Sequence, residues 1–163
     1  MAAIKQHITN CLWFDSEAEE AARFYTSIFP NSSIVAISRY GKAGHDVHQQ
    51  PEGKVLVVKF ILNGLEFIAL NGGPLFTFNE SISLMVNCKD QAEIDYYWEK
   101  LTAGGQEVQC GWLKDKYGVS WQVYPVRLGE MMADPEKFER VTEAYMKMKK
   151  FDLKKLEEVF AGK

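Results

Sequence analysis

The chain has 163 residues, a formal net charge of -3, 47% apolar residues and 25% charged ones. That length suits one domain or two small repeats sharing a core, and the composition is that of an ordinary globular protein rather than a disordered one. With a slight negative charge and no dense Lys/Arg patch before the tail, there is no electrostatic reason to bind nucleic acid. The apolar runs Val55–Val58 and Phe60–Leu62 are far too short for a membrane span, and no apolar signal core follows the early Lys5. Three cysteines, Cys11, Cys88 and Cys110, have no paired spacing; they fit free thiols in a reducing, cytoplasmic setting.

In chain order, Ile8–Phe14 reads as a strand. Ser16 and Glu19 have the spacing of a capping box. Ala21, Phe24, Tyr25 and Ile28 then fall on one helical face, and Pro30 stops the helix because it cannot extend the hydrogen-bond ladder. Strands are expected at Ser33–Tyr40, Lys54–Leu62 and Leu65–Asn71. Asn63-Gly64 supplies a tight turn between the last two, and Asn71-Gly72-Gly73-Pro74 breaks the chain.

The order then repeats. Ser81–Cys88 reads as a strand, and Asp90 with Glu93 gives a second helix start. Ile94, Tyr97, Trp98 and Leu101 form a second face, and Gly104-Gly105 ends it. Shorter strands are expected near Glu107–Gln109, Trp112–Lys114 and Val119–Tyr124, with a turn at Tyr117-Gly118. Adding 73 to each member of the first face (21, 24, 25, 28) gives the second (94, 97, 98, 101), the mark of a duplicated module. The expected class is therefore α+β: two tandem βαβββ modules, 1–74 and 80–126, within a domain 1–128, followed by a helical tail 129–163. In the tail, Asp134-Pro135 suggests a cap and first-turn proline. Phe138, Val141, Tyr145 and Met148 form an apolar stripe, and Asp152 can cap a last helix carrying Leu153, Leu156, Val159 and Phe160. The tail lysines are interspersed with acids and read as a mixed solvated face.

These pieces carry a family resemblance. The Leu-Trp-Phe-Asp of residues 12–15, the run Ala22–Ser32 and the turn Ala69–Pro74 resemble the PhnB-like branch of the vicinal-oxygen-chelate superfamily, also described as 3-demethylubiquinone-9 3-methyltransferase-like. Asp115-Lys116-Tyr117-Gly118-Val119-Ser120-Trp121-Gln122-Val123 resembles the superfamily's closing hairpin, and Met146–Asp152 the branch's C-terminal signature. The resemblance implies the glyoxalase/bleomycin-resistance fold, whose members include glyoxalases, ring-cleaving dioxygenases and drug-sequestering proteins. It does not fix the chemistry. No strand here is followed by the glycine-rich turn and helix that would hold S-adenosylmethionine in a Rossmann-like fold, so the sequence gives the methyltransferase description no support.

The resemblance also implies metal-ligand positions near Asn10, Ala69, Ser83 and Gln122. Ala69 has no donor atom, and the other three offer only neutral oxygens where a divalent transition metal prefers imidazole, thiolate or carboxylate. No metal and no cofactor is expected. His7 falls on the opposite side of its strand from Asn10 and reads as a strand-edge histidine. His45, Asp46 and His48 lie in the polar loop 41–53; they could bind a metal or act as a general base, and a solvated loop is the plainer reading. By strand alternation the expected lining of a cup is Leu12, Phe14, Phe67, Asn71, Met85, Asn87, Ser120 and Tyr124, beside the four lost ligand positions. Cys11 and Cys88 should face the helices.

Three functions fit. The first is a metal-free small-molecule binding protein with a cup-shaped pocket, in which the lining is apolar and aromatic with a few neutral polar groups. The second is a metal-dependent lyase or dioxygenase of glyoxalase type using the loop histidines. The third is a structural or interaction protein with a filled cup. The expected partners are a small molecule and a second copy of the chain. The tail stripe is too large to leave in water, and twofold dimers are the commonest closed assembly.

Overall fold

The computed structural model describes residues 6–163; Lys5 and the first four positions of the expected first module lie outside them. The chain is α+β and divides into two compact units, Met1–Thr77 and Phe78–Lys163. Each carries a βαβββ module.

In the first unit, β1 (Asn10–Phe14), α1 (Ala18–Ile28), β2 (Ser33–Arg39), a one-turn helix α2 (His45–His48), β3 (Val55–Leu62) and β4 (Leu65–Asn71) follow in order. The sheet order is β1-β4-β3-β2, with β1 parallel to β4 and the other pairs antiparallel. Asn63 and Gly64 both have positive φ, 49° and 83°, as the tight primed turn between β3 and β4 requires. The apolar face of α1 lies over Val58, Phe60, Phe67 and Ala69, with Tyr25 stacked on Phe60 and Phe60 on Phe67.

In the second unit, β5 (Leu84–Cys88), α3 (Gln91–Thr102), β6 (Gln106–Glu107), β7 (Trp112–Lys114) and β8 (Ser120–Pro125) repeat the plan. The order β5-β8-β7-β6 matches the first sheet position for position. The two helix faces match too: Ala21, Tyr25 and Ile28 are buried, as are Ile94, Trp98 and Leu101, while Phe24 and Tyr97 are half-buried. Asp90 caps α3 by accepting from the Glu93 N–H at 2.9 Å, and Glu93 accepts in turn from the Lys89 N–H at 3.0 Å.

The first helix start is built differently from the expectation. Ser16 does not cap α1; its own N–H bonds to the Glu17 carboxylate. The acceptor comes instead from the neighbouring strand, where Asn71, paired with Phe14 at the end of β4, receives the Ala18 N–H on Oδ1 at 2.8 Å. Three residues separate Phe14 from Ala18, but only two separate Cys88 from Gln91. The extra residue shifts the strand by one place against its helix. A one-residue shift sends every side chain to the opposite face.

Consequently Leu12 and Phe14, paired with Ala69 and Asn71, share the helix-covered face with Phe67. Cys11 does not face the helix as expected; it is exposed and points the other way with Trp13. In the second unit the alternation runs as expected. Val86, Cys88, Trp121 and Val123 face α3, while Met85, Asn87, Gln122 and Tyr124 lie on the opposite face.

The closing hairpin is held by one carboxylate. Asp115 is buried and accepts from the Tyr117 and Val119 N–H groups at 2.9 and 3.1 Å, and from the Trp121 indole at 2.8 Å. The aspartate and tryptophan of the family motif are thus a structural pair. Both groups are buried, so leaving either unpaired would be costly.

The C-terminal segment forms α4 (Val126–Met132), α5 (Phe138–Tyr145) and α6 (Leu153–Phe160). The first of these was not expected and runs across Gly129. Asp134-Pro135 makes a turn rather than a helix start, and α5 opens at Phe138. Asp152 caps α6 by accepting from the Lys155 N–H at 3.0 Å, as expected. Leu128, Met131, Val141, Met148, Phe151 and Leu156 pack into one core, with Tyr124 of β8 against it. The tail stripe is therefore covered largely within its own unit. The Cys110 and Gly111 N–H groups bond to the Met148 and Lys149 carbonyls at 2.8 and 2.7 Å, tying the tail to the loop before β7. Gly111 must be glycine here, since φ is +78° and a Cβ would strike the Phe151 ring and the Val123 carbonyl.

Candidate functional site

The four positions of the expected metal set do not form one. Ala69 is fully buried under α1 and contributes only a methyl group. Asn10 is exposed at the start of β1, on the same sheet face as Ala69. In the second unit Ser83 and Gln122 do meet, but through a hydrogen bond from Gln122 Nε2 to Ser83 Oγ at 2.8 Å. A neutral amide bonded to a neutral hydroxyl does not fit a dication. Among the described residues no three His, Cys, Asp or Glu side chains gather closely enough to hold an ion.

His45, Asp46 and His48 lie on α2. The His48 ring sits 4.6 Å from that of Tyr40 and 5.8 Å from that of His45. Its Nδ1 accepts from the Gln50 N–H at 3.0 Å, so in the neutral ring Nε2 carries the proton and donates to the Ala43 carbonyl at 3.2 Å. Both nitrogens are engaged with backbone. His48 therefore closes its own loop, while His45 and Asp46 point to solvent. His7 is exposed.

The expected lining residues of the first unit divide from those of the second. Phe14, Phe67, Ala69 and Asn71 are buried beneath α1, and Leu12 shares their face. They are core, which corrects the expectation that they line an open cup; for Leu12 and Phe14 the cause is the extra residue before α1. Asn71 is wholly committed: besides capping α1, its Nδ2 donates to the Val55 carbonyl at 3.0 Å and its own carbonyl accepts from the Tyr40 hydroxyl at 2.6 Å. The other face of this sheet carries Trp13, whose indole N–H donates to the Gly73 carbonyl at 2.9 Å. The ring lies where a Cβ on Gly72 would sit.

In the second unit, Gln122 and Tyr124 border a cavity of about 330 Å³ between the face of β7 and β8 away from α3 and the C-terminal segment. Trp112 and Tyr124 supply aromatic surface from the sheet, and Tyr145 and Phe151 from the tail. Phe151 lies edge-to-face with both Tyr124 and Tyr145, at 6.2 and 6.3 Å. Met132, Met146 and Leu128 complete the apolar wall, with Gln122 and Cys110 as polar points. Burial and the neighbouring Tyr145 both push the Tyr124 hydroxyl above its ordinary value, so it stays protonated near neutral pH. Met85 is on this sheet face but exposed, and Ser120 is buried with its hydroxyl toward the Asn79 carbonyl at 3.4 Å; neither lines the cavity.

Sequence reasoning put Gln122 and Tyr124 on the face away from α3, where they lie, and named none of the tail residues that border this cavity. The stripe around Tyr145 reads the same whether it covers a partner or its own sheet. The one local signal was Gly111, which lets the Phe151 ring approach the strand backbone.

The profile of a family described as 3-demethylubiquinone-9 3-methyltransferase matches residues 6–124. No curated protein sequence matches the chain. Among solved structures, a PhnB protein from Bacillus cereus is 41% identical over 74% of this chain and all of its own, with a TM-score of 0.66. Protein PA1353 from Pseudomonas aeruginosa is 18% identical over 74% of this chain and 98% of its own, at a TM-score of 0.59. The fosfomycin resistance protein FosX from Listeria monocytogenes is 15% identical over 81% of this chain and all of its own, at a TM-score of 0.54. The last two share the fold alone. The duplicated βαβββ topology, the closing hairpin and the profile match agree: the chain belongs to the family described as 3-demethylubiquinone-9 3-methyltransferase, the PhnB-like branch of the vicinal-oxygen-chelate superfamily.

Proposed function

We propose that the chain is a small-molecule binding protein that works without a metal, its ligand held in the second unit between the open face of β7 and β8 and the C-terminal segment. The observation that carries this reading is the cavity of about 330 Å³ with aromatic and methionine walls and few polar groups. That volume and make-up are those of small-molecule sites. The engagement of both His48 nitrogens with backbone weighs against a glyoxalase-type enzyme using that loop, and the cavity weighs against a filled cup. A reducing, cytoplasmic setting fits the three free cysteines, and a second copy of the chain remains a proposed partner.

A thermal-shift screen of a varied small-molecule library on the full chain tests the reading. A ligand at 100 times its Kd should add about 2.7 kcal/mol to stability. Hits should lose their effect in Met146→Trp, which puts bulk into the cavity mouth, and those bearing a hydrogen-bond donor should weaken in Gln122→Leu. A library yielding no hit sensitive to either change rejects the reading. Stoichiometric zinc, nickel or manganese retained after purification without added metal would favour the metalloenzyme instead.

A further inference from the structure

We infer, resting on that reading, that the cavity takes a neutral, planar aromatic molecule bearing a hydrogen-bond donor, and that Gln122 Oε1 receives the donor. The first argument is charge. The nine lining side chains include no Asp, Glu, Lys, Arg or His, and burial pushes the Tyr124 hydroxyl above its ordinary value. A carboxylate or phosphate entering this space would leave water without a counter-charge, which costs far more than a single hydrogen bond returns.

The second argument is shape and surface. Trp112, Tyr124, Tyr145 and Phe151 present four ring systems to one space, and Met132 and Met146 add polarizable sulfur at its margin. Aromatic faces and edges reward a flat, polarizable guest beyond the area it buries, and methionine adapts to its outline. A cavity of about 330 Å³ accepts a bicyclic ring system.

The third argument is the amide of Gln122. Its nitrogen is committed to Ser83 Oγ at 2.8 Å. Among the described residues nothing donates to its Oε1, and the Gln122 side chain borders the cavity. A carbonyl oxygen without a donor, on a side chain that borders an apolar space, selects a guest that supplies an O–H or N–H. Tyr145, Met146 and Phe151 lie beyond residue 124, where the family profile ends. Selectivity is therefore set in part by a segment outside that profile.

Isothermal titration calorimetry with 2-naphthol, naphthalene and 2-naphthoate at pH 7 tests the inference on the full chain. Naphthol should bind tightest, and naphthalene about three- to tenfold more weakly for want of the donor. Naphthoate should bind at least about a hundredfold more weakly, because its charge is buried unpaired. In Gln122→Leu the advantage of naphthol over naphthalene should vanish while naphthalene still binds. Met146→Trp should weaken all three and, lying at an exposed position, leave the fold intact by circular dichroism. Naphthoate binding as tightly as naphthol, or naphthalene equal to naphthol, overturns the ligand class; if Met146→Trp still weakens them, the cavity remains the binding site. No binding by any of the three also overturns the class. The cavity reading then stands or falls on whether the library screen yields hits sensitive to Met146→Trp.

Discussion

The side-chain amide of Gln91 clasps the backbone at Phe151: Nε2 donates to the Phe151 carbonyl at 3.1 Å, while Oε1 accepts from the Leu153 N–H at 2.9 Å. Gln91 is the first residue of α3, and Phe151 is the tail's deepest aromatic, 2% exposed. Helix start and cavity wall are thus joined by one side chain. Gln91→Ala should cost about 1–3 kcal/mol in urea unfolding, since two backbone groups lose their partner. Amide exchange should speed up at residues 151–153 before it does in β8. Unchanged exchange there would show that the clasp does not hold the tail.

Beside it, Lys150 bonds to Asp95 and holds that carboxyl below the usual aspartate range, against the opposing effect of its partial burial. A folded-state pKa below the unfolded one gives stability that is present above the unfolded value and lost as pH falls through the folded value. Lys150→Met should therefore cost a little at pH 7, small because both groups are largely exposed. The difference from wild type should shrink as pH is taken below the ordinary aspartate value of about 3.9. A difference that grows in acid would assign the effect of Lys150 to packing instead.

Asn71 joins three elements, capping α1 at Ala18 and bonding Val55 and Tyr40. Asn71→Ala should cost at least about 2 kcal/mol, because the buried Ala18 N–H and the Val55 carbonyl lose their partners together. Chemical denaturation measures this directly. A loss under about 0.5 kcal/mol, the size of a typical surface substitution, would mean that water replaces the side chain.

The same residue shows what could be read from the sequence and what could not. The order of the strands and of α1 and α3, the turn at Asn63-Gly64, the cap at Asp90 and the correspondence between the two helix faces were legible, because each rests on local spacing; the short helices α2 and α4 were not. The face of β1 was not. Asn10 and Ser83 are 73 apart like the helix pairs, and that regularity suggested equal geometry in both units. The junction before α1 is one residue longer than the one before α3. Nothing in residues 15–17 announces this, because the capping acceptor that makes it workable is Asn71, distant in sequence. In the second unit the alternation held, so Gln122 and Tyr124 lie on the sheet face read for them. The opposite wall was hidden because an apolar stripe records that it must be covered, not by what.

Cys88 should be chemically silent. Burial, with the nearby charges of Glu93 and Asp90, pushes its thiol up to about 12, so almost no thiolate, the reactive form, exists at pH 8. Cys11 is exposed. Iodoacetamide at pH 8 should therefore alkylate Cys11 in the native protein, and Cys88 only after urea is added, as mass spectrometry of peptides would show. Alkylation of Cys88 in the native protein within tenfold of the Cys11 rate would mean that β5 opens readily.

The tail gives the last prediction, about assembly. The expectation of a dimer rested on a stripe that needed covering, yet Val141, Met148 and Leu156 are buried within their own unit together with Phe151. What remains in water is scattered: Phe138 is 43% exposed and Met146 59%. Such single exposures are ordinary on a protein surface. If the chain dimerises, the tail should not be its main contact. The double variant Phe138→Ser, Met146→Ser should keep the native molar mass by light scattering at micromolar concentration. Phe151→Ala, by contrast, should destabilise the fold by about 3–5 kcal/mol, the cost of emptying a buried aromatic site, without changing the mass of the molecules that remain folded. A dimer that the serine pair converts to a monomer would return the tail to the interface and reject this account of how its stripe is covered.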